Sequence, residues 1–423
     1  MRRLFVTILH VCARRVVQRY NPAIIAITGS VGKTTTKEAI YFALKRKYIA
    51  RRSRGNFNTD IGLPLTVLDI GWLPGRSPIK WIAVFLRALS LLLRRLPYPE
   101  VLVLEMGADK PGDIAQLVAI APPRIGIITT IAAAHTERFG DLAGVAKEKG
   151  ALFKAVGADG WIVVNRDDAE VVRLAQECQS RRMTYGLDPD GRSDVYATDI
   201  HISQEGAGDG GIAGMAFNVH LQGAVTPILF KRTLGRHWTY PALAAIAVAS
   251  ILEVPITEAA EGLSELRLEP GRMRVLAGIK HTTIIDDTYN ASPISVKAAL
   301  EAVAELSHEG VVIAVLGDML ELGRLSEEEH KKIGMLLVDY GATNVLVTVG
   351  ERARDIARGA RSAGMGSEHV FEFDDAKTAG LFVQRRMEQG DLVLVKGSRG
   401  MKMERIVKEI MAEPRAAKEL LVH

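Results

Sequence analysis

The residues best placed to do chemistry follow an early apolar run. Residues 24–28 read as a buried strand, a helical pattern covers residues 33–45, and a glycine-containing turn joins the two. Backbone N–H groups of such a turn, with the helix N-terminus behind them, cradle phosphate oxygens. Lys33 would neutralise the β- and γ-phosphates, and the Thr34 hydroxyl would reach Mg²⁺. The turn therefore predicts a nucleotide site, although Ile27 stands where the general phosphate-loop pattern has glycine.

The elements that must position this turn alternate between strands and helices. Apolar runs at residues 101–104, 125–128 and 161–164 lie between helical patterns. This alternation is typical of a mostly parallel sheet that helices cover on both faces. The turn is then expected at one edge of such a sheet.

The pattern changes after about residue 195. From there to about residue 230, short alternating segments around residues 206–211 predict a small antiparallel hairpin region, and helical patterns follow at 239–252 and 256–264. Strand-like runs resume at residues 283–287, after Pro270-Gly271-Arg272, where we place a domain boundary. The predicted fold class is α/β, with a central phosphate-loop domain built on a mostly parallel sheet and a C-terminal Rossmann-like α/β domain. The predicted segments are a basic amphipathic N-terminal segment (1–22), the central domain (23–269) and the C-terminal domain (270–423).

Composition is typical of a soluble globular protein. Of the 423 residues, 48% are hydrophobic and 24% are charged, which is ordinary for this class. Cys12 and Cys178 lie far apart and form no C-x-x-C pair, which argues against a disulfide framework or a structural zinc site and favours a reducing compartment. We therefore expect a cytoplasmic protein, and we expect no nucleic-acid partner.

Basic residues concentrate near the N-terminus. Residues 1–54 carry 13 Lys and Arg against one acid, a local balance of +12, which leaves −7 for the remainder of a chain whose net charge is +5. Such a segment suits a polyphosphate ligand or an anionic membrane surface, or forms a solvated basic helix. Residues 79–93 are nearly all apolar but too few to span a bilayer comfortably. We expect a buried or partner-facing helix there, or peripheral membrane contact through residues 1–22 and 79–95.

Motifs spread from residue 28 to residue 399 resemble those of the Mur ligases of peptidoglycan synthesis. They occur in the family's order, and the last three are similar to the MurF type within that family. The segments that carry the resemblance are residues 28–35, 55–64, 105–108, 112–114, 132–137, 147–150, 165–168, 286–293, 317–323 and 396–399. The resemblance implies an ATP-dependent ligase that forms an amide bond through an acyl phosphate. It also implies that the acceptor is a muramoyl-peptide and that the amine is the dipeptide D-Ala-D-Ala.

The resemblance assigns roles to individual residues. Lys33, His135 and Lys149 would be catalytic, and Lys149 would react with CO₂ to give a carbamate that bridges metal ions. The cofactors implied are ATP and two Mg²⁺ ions. The implied nucleotide contacts are Gly29, Ser30, Val31, Gly32, Lys33, Thr34, Thr35, Arg272, Asp287 and Asn290. The implied metal ligands are Thr34, Glu105, His135 and Lys149, and the implied substrate contacts are Asn56, Asn58, Lys396 and Arg399.

Local chemistry supports several of these roles in the central domain. Glu105 ends a strand-like run, where a carboxylate can hold Mg²⁺ beside phosphates or can simply be exposed. A lone histidine such as His135 is usually not a ligand, and only its neighbours favour that role. Lys147 and Lys149 are about 200° apart around a helix, so either one of them faces a site or both are surface residues.

The C-terminal domain offers similar choices. Asp287, next to another acid, would approach the nucleotide from across a cleft with Asn290, or would cap the following helix. Arg399 has a guanidinium that suits the carboxylate of an incoming amino acid. With Lys396, it could equally form a solvated basic loop.

Two features depart from the family pattern. Where the family has asparagines that recognise adenine, this chain has Trp238 and Pro241, and Trp238 could stack on the base instead. The family also has a UDP-binding domain before the phosphate loop. Only residues 1–22 precede the first strand here, too few for a stable domain of that kind, so we expect that domain to be missing.

Three functions remain open at this point. The first is a ligase that joins a muramoyl-peptide to D-Ala-D-Ala. The second is the same chemistry on another acceptor, such as poly-γ-glutamate or another cell-envelope peptide. The third is a phosphate-loop ATPase subunit without ligase activity, which would not need Glu105, His135 and Lys149 together.

Overall fold

The chain forms two compact units. The computed structural model describes residues 2–55, 57–132, 139–187, 192–203, 214–231, 234–266, 270–306, 308 and 310–422. Unit 1 comprises residues 1–199, 217–228 and 239–266, and unit 2 comprises residues 200–216, 229–238 and 267–423.

A parallel sheet forms the centre of unit 1. Its strands are β1 (Ala23–Thr28), β2 (Ala50–Arg52), β3 (Val101–Glu105), β4 (Ile125–Ile128), β5 (Trp161–Asn165) and β6 (Arg181–Gly186). They lie in the order β2-β3-β1-β4-β5-β6, and all neighbours are parallel. Ile27 of β1 lies opposite Glu105 of β3, and Thr28 lies opposite Ile128 of β4. The carboxyl ends of three central strands therefore meet at one edge, which is where open parallel sheets bind ligands.

Both faces of β1 are buried, which explains its unbroken apolar sequence. Successive side chains of a strand point to opposite faces, yet Ile24, Ile25, Ala26 and Ile27 are each at most 2% exposed. Ile24 and Ala26 belong to a core cluster with side chains of several helices. The helices of unit 1 are α1 (Arg2–Tyr20), α2 (Lys33–Leu44), α3 (Gly62–Val67), α4 (Pro78–Leu93), α5 (Asp113–Ile120), α6 (Leu142–Lys154), α7 (Ala169–Gln176), α8 (Thr239–Ile251) and α9 (Ile256–Ser264).

Three further strands extend the sheet order as β7-β8-β9. They are β7 (Val195–Ser203), β8 (Gly214–Leu221) and β9 (Ala224–Lys231). The turn between β8 and β9 has φ of 49° at Gln222 and 85° at Gly223, the positive pair typical of a two-residue hairpin turn. The hairpin segment predicted around residues 206–211 lies outside the described residues.

Unit 2 contains a second sheet, in the order β10-β11-β15-β12-β13-β14. Its strands are β10 (Arg274–Ala277), β11 (Thr283–Asp287), β12 (Val312–Gly317), β13 (Val345–Val349), β14 (Val370–Phe373) and β15 (Leu392–Lys396). Only the β10–β11 pair is antiparallel among these described neighbours. The helices are α10 (Pro293–Ala304), α11 (Ser326–Asp339), α12 (Arg354–Ser362), α13 (Ala376–Arg386), α14 (Glu404–Ile410) and α15 (Ala417–Leu420). The α/β fold class predicted from the sequence is confirmed.

The two segments that stood out in the sequence, at 1–22 and 79–95, form helices that pack on each other. Phe5 of α1 lies 5.5 Å from Trp81 of α4 between ring centroids, and the Tyr20 hydroxyl donates to the carbonyl of Leu91. Each helix buries one face in the same core and exposes the other. None of the helices in the described part of the chain is long and apolar enough to cross a membrane.

Candidate active site

The turn between β1 and α2 has a backbone that only glycine can adopt at its key position. Gly29 has a φ of 148°, and a Cβ there would lie 1.9 Å from the Oγ1 atom of Thr129. Gly32 precedes α2 with a φ of 85°. The loop therefore lies close against its neighbour and leads directly into the N-terminus of a 12-residue helix, an arrangement suited to an anion.

Hydrogen bonds to the segment after β4 hold this loop in place. The Thr129 hydroxyl donates to the carbonyl of Val31 at 2.6 Å, and the backbone N–H of Ser30 donates to the carbonyl of Thr130 at 2.8 Å. The Ser30 hydroxyl also accepts from the N–H of Ala132 at 3.0 Å. Several hydrogen bonds within the protein therefore fix the position of the loop against the segment after β4.

A further layer of polar side chains supports that segment. Asn165, at the end of β5, donates from Nδ2 to the carbonyl of Thr129 at 2.9 Å. Asp168 caps α7 and also accepts from the Thr130 hydroxyl at 2.6 Å and from the N–H of Ile131 at 2.8 Å. The matching motif at residues 165–168 thus acts as a support for the phosphate loop.

Lys33 lies over the loop. Its Nζ donates to the carbonyl of Gly29 at 2.7 Å and to that of Ser30 at 3.4 Å. Its charge is consequently held beside the backbone that would receive phosphate oxygens. Thr34 is half-buried and Thr35 is buried in the first turn of α2.

Glu105 lies in a buried polar cluster at the end of β3. Its carboxylate accepts from Nδ2 of Asn58 at 3.0 Å, so the structure brings together a predicted metal ligand and a predicted substrate contact. The other carboxylate oxygen lies 3.6 Å from Nζ of Lys37, which is also 3.3 Å from Glu38. Lys37 is fully buried and Glu105 is 3% exposed, so the two charges are compensated within the protein.

Lys149 is buried in α6, whereas Lys147 is exposed, and only one of the two therefore faces inward, as the helical period requires. Burial, with a smaller contribution from the positive charge of Lys33, lowers the pKa of Lys149 to about 7. Glu148 opposes that shift and accepts backbone N–H bonds from Gly112 at 2.7 Å and Ile114 at 2.8 Å. A substantial share of the Lys149 amine is consequently neutral near pH 7.

Two predicted residues of unit 1, His135 and Asn56, lie outside the described residues. Their predicted roles as metal ligand and substrate contact stay predictions.

The predicted residues of unit 2 gather at the carboxyl ends of adjacent strands. Asp287 of β11 lies opposite Lys396 of β15 in the sheet register, and the two side chains form an ion pair. Lys396, 2% exposed, also donates to the carbonyl of Asn290 at 3.0 Å. Asp287 accepts from the N–H of Met273 at 3.1 Å. Asp287 does not cap the following helix, because Ser292 does so through a capping box with Ser295.

Two arginines of unit 2 occupy different settings. Arg272 lies 4.0 Å from the ring centroid of Tyr289, measured from its guanidinium carbon. Arg399 is exposed and approaches Glu404 at 3.9 Å. The Arg399 guanidinium therefore lies at the surface of unit 2, next to Glu404.

Trp238 is not an open platform for a base. It is 3% exposed, and its ring centroid lies 5.5 Å from that of His237. Burial lowers the pKa of His237 to about 4, so this imidazole is neutral at physiological pH. Stacking of adenine on Trp238 would require this residue to leave its packed position, and the expectation of stacking is not supported.

Comparison with known proteins identifies the family. The Mur ligase middle domain matches residues 27–71 and 87–249, and the glutamate ligase domain of Mur ligases matches residues 271–399. The UDP-N-acetylmuramoyl-tripeptide–D-alanyl-D-alanine ligase of Bacillus subtilis is 33% identical over 408 residues, which cover 96% of this chain and 80% of that protein. The chain belongs to the Mur ligase family. The Escherichia coli ligase of the same name is 31% identical over 93% of this chain and 78% of its own length.

Solved structures agree with this family. MurF from Acinetobacter baumannii matches with a TM-score of 0.76 at 27% identity, covering 95% of this chain and 79% of that one. MurF ligase from Thermotoga maritima in complex with ADP matches with a TM-score of 0.76 at 25% identity, covering 98% of this chain and 84% of that one. The chain is thus an ATP-dependent ligase, as the sequence predicted.

The residues of this Mur ligase fit a nucleotide with Mg²⁺. Gly29 lets the loop lie directly against Thr129 at the N-terminus of α2, and the Oε2 atom of Glu105 has no hydrogen-bond donor among the described residues. No group of three His, Cys, Asp or Glu side chains that could hold a metal occurs in that part of the chain. The residues that would hold Mg²⁺ are those that the resemblance implies, Thr34, Glu105, His135 and Lys149, of which His135 lies outside the described residues.

Sequence reasoning missed several residues that organise this site. Lys37, one turn into α2, pairs with Glu105, and a lysine directly after three threonines gave no signal of burial. Thr129 and Glu148 act through backbone groups of segments distant in sequence. Glu148 lies inside the segment 147–150 that resembles the family, but its hydrogen-bond partners at the start of α5 are distant in sequence and cannot be predicted from spacing.

Proposed function

We propose that this Mur ligase joins the carboxylate of a UDP-muramoyl-tripeptide to the amine of D-Ala-D-Ala at the expense of ATP. The observation that carries the proposal is the combination of a phosphate loop packed on Thr129, a buried Glu105 and a buried Lys149 with a lowered pKa. A site that only bound a nucleotide would not need such a lysine. The names of the relatives that match most of the chain supply the substrates.

The first step forms an acyl phosphate. An oxygen of the tripeptide carboxylate attacks the γ-phosphorus of ATP, the bond to the β-phosphate oxygen breaks, and ADP leaves. Lys33, held beside the loop, stabilises the charge on the transferring group, and backbone N–H groups orient the phosphates. Mg²⁺, when bound, neutralises further phosphate charge.

Lys149 is proposed to act as a carbamate. Its neutral amine attacks CO₂, a C–N bond forms, and one proton is released, which converts a buried cation into an anion. The pKa of about 7 supports this step, because only the unprotonated amine is nucleophilic. The anion would then serve as a ligand beside Glu105, and its charge would suit the cations of the site better than the ammonium does.

The second step forms the amide. The unprotonated amine of D-Ala-D-Ala attacks the acyl carbon, the tetrahedral intermediate expels phosphate, and the amine loses its proton. In unit 2, Arg399 is the group proposed to hold the dipeptide carboxylate, since its guanidinium is exposed and matches a carboxylate in shape and charge. Lys396 is fully engaged with Asp287 and Asn290 and is proposed to position these residues.

We propose that the reaction takes place in the cytoplasm. ATP is the phosphoryl donor in this proposal, and both cysteines in the described chain are unpaired, which suits a reducing compartment.

A complete reaction tests the proposed function. Purified protein is incubated with ATP, Mg²⁺, D-Ala-D-Ala and UDP-muramoyl-tripeptide, and the product is identified by mass. We expect the pentapeptide product and ADP in equal amounts, and neither when one substrate is omitted. The Lys33→Ala variant should form no product while keeping its fold, whereas Lys154→Ala, at an exposed lysine, should behave as wild type. ADP formation that does not depend on the tripeptide would contradict the proposal.

A further inference from the structure

Helices α1 and α4 lie side by side and run in the same direction. Phe5, near the start of α1, contacts Trp81, near the start of α4. The hydroxyl of Tyr20, at the end of α1, lies 3.1 Å from the carbonyl oxygens of Leu91 and Arg94, at the end of α4, and can donate to either one. Both helices bury side chains in one core cluster, so the opposite face of each points away from the body of unit 1.

The outward face of α4 is apolar along its whole length. Its exposed members recur every three or four residues, which places them on one stripe of the helix. They are Ile79 (78% exposed), Ile82 (58%), Leu86 (61%), Leu89 (49%) and Leu93 (72%). Isolated exposed aliphatic residues are ordinary, but a continuous stripe of five marks an interaction surface.

The outward face of α1 continues this surface and then becomes basic. Leu4, Ile8 and Val11 are 61%, 39% and 47% exposed, and Arg14 and Arg15 follow them as exposed side chains. Because the two helices are parallel, these arginines lie toward the same end as the C-terminus of α4, where Arg94 and Arg95 are exposed as well. We call the apolar stripes of α1 and α4 with these arginines the α1–α4 face.

The two segments that form the α1–α4 face carry basic residues and no acids, although Asp69, just before the second segment, lies 3.5 Å from Arg87 of α4. The sequence has no Asp or Glu at residues 2–20 or at residues 70–99, which together include ten Lys and Arg. Next to the start of α4, Trp72 is 41% exposed, and Nζ of Lys80 lies 5.9 Å from the centroid of its ring. Indole rings beside basic side chains are favoured at the boundary between lipid and water.

We propose that the α1–α4 face docks on the surface of an anionic lipid bilayer. The aliphatic stripes would enter the boundary between headgroups and acyl chains, and the arginines would contact lipid phosphates. A second copy of this chain fits less well, because it would bring two basic rims together. The helices would lie on the bilayer and not cross it, in keeping with their length. This inference goes beyond the proposed function and does not depend on it.

Vesicle flotation tests the proposal. Full-length protein is mixed with vesicles of phosphatidylcholine alone, or of phosphatidylcholine and phosphatidylglycerol in equal parts. We expect flotation with the anionic vesicles only, and release as the salt concentration rises because exposed charges are screened. Replacing Arg94 and Arg95 together by glutamine should lower the partition coefficient by about 25-fold, since each basic residue contributes roughly fivefold near such a surface. The double variant Arg324→Gln with Arg415→Gln, at exposed arginines of unit 2, is the matched control.

The apolar stripe has its own pair of variants. Leu86→Glu with Leu89→Glu should abolish flotation, whereas Met335→Glu, at a residue 47% exposed in unit 2, should not. Neither change touches the ligase site, so ADP formation with soluble substrates should persist in both variants and confirm that they are folded. Equal binding to neutral and anionic vesicles, or no binding to either, would overturn the proposal. Wild-type protein could instead bind no vesicles and form a dimer that the double variant Leu86→Glu with Leu89→Glu dissociates. That result would assign the face to a second copy of this chain.

Discussion

At the scale of single residues, the site depends on charges held away from water. Lys149, Lys37 and Glu105 are each at most 4% exposed, and two of them compensate each other. Lys149 instead has its pKa lowered by burial and by Lys33. An ion pair and a neutral amine are two different solutions to the cost of burying charge, and each predicts a different response to mutation.

For Lys149 the expected response is loss of activity with chemical rescue. Lys149→Ala removes the atom that would carry the carbamate, and turnover should fall about a hundred-fold or more, as when a group that stabilises transition-state charge is removed. Formate or acetate, added without bicarbonate, should restore part of the rate by supplying the missing carboxylate. Lys147→Ala, two residues away and exposed, should be nearly unaffected. Full turnover in unrescued Lys149→Ala would show that no carbamate is needed.

For Lys37 the expected response is loss of stability. Lys37→Met leaves the buried carboxylate of Glu105 without its countercharge, and the free energy of unfolding should fall by about 3 kcal/mol. Adding Glu105→Gln should recover part of that loss, because the uncompensated charge is gone. Lys154→Met breaks a surface pair with Glu177 and should cost less than about 1 kcal/mol. Equal urea midpoints for Lys37→Met and wild type would contradict the role assigned to the pair.

Asp286 in unit 2 gives a prediction about pH. Burial raises its pKa to about 6. Between about pH 4 and pH 6 the carboxyl group is therefore still protonated in the native state, whereas it is already ionised in the unfolded state. Ionisation of this buried group therefore lowers the free energy of unfolding progressively as the pH rises through that range, and above it the loss is constant. Asp286→Asn keeps an oxygen to accept from Thr288 and removes the charge.

The difference in free energy of unfolding between the variant and wild type should therefore grow in favour of the variant by about 2–3 kcal/mol from pH 4 to pH 7. Urea unfolding at both pH values measures the gain, and Asp339→Asn, at an exposed aspartate, controls for loss of an acid. A stability difference that does not change with pH would rule out this account of Asp286.

At the scale of elements, the strand–turn–helix at residues 23–44 was readable from the sequence because its signals are local. Unbroken apolar residues indicated β1, and Gly29 and Gly32 marked positions with a positive φ, which favours glycine. The partners of the loop were not readable, since Thr129 and Asp168 reach it through the fold and not through spacing. The burial of Trp238 was missed for the same reason, because a tryptophan in a family position suggests a ligand contact before its packing is known.

The loop geometry predicts a sharp response at Gly29. Gly29→Ala would place a methyl group on Thr129 and strain the backbone at a φ of 148°, which costs about 1–3 kcal/mol. ADP binding, measured by calorimetry, should weaken about ten- to a hundred-fold with little change in the rest of the fold. Gly157→Ala is the control, because no atom lies within 4 Å of a Cβ there. Unchanged ADP affinity in Gly29→Ala would mean that the nucleotide does not use this loop.

At the scale of the whole molecule, the order of the motifs along the chain allowed the fold and the reaction to be predicted. Independent motifs from the phosphate loop to the Lys396 segment predicted a two-part α/β ligase, and the sheets of both units agree with it. The sequence could not indicate which face of α4 would be covered, because the side chains of both its faces are apolar. The packing of α1 and α4 on one core decides which face of each helix is buried.

The central claim is that this chain activates a carboxylate as an acyl phosphate before it forms the amide. Transfer of oxygen-18 from the labelled terminal carboxylate of the tripeptide to phosphate tests it most directly. In an acyl phosphate the attacking carboxylate oxygen stays with phosphorus, so each phosphate released during ligation should carry one heavy oxygen. Amide formation with unlabelled phosphate would contradict the claim.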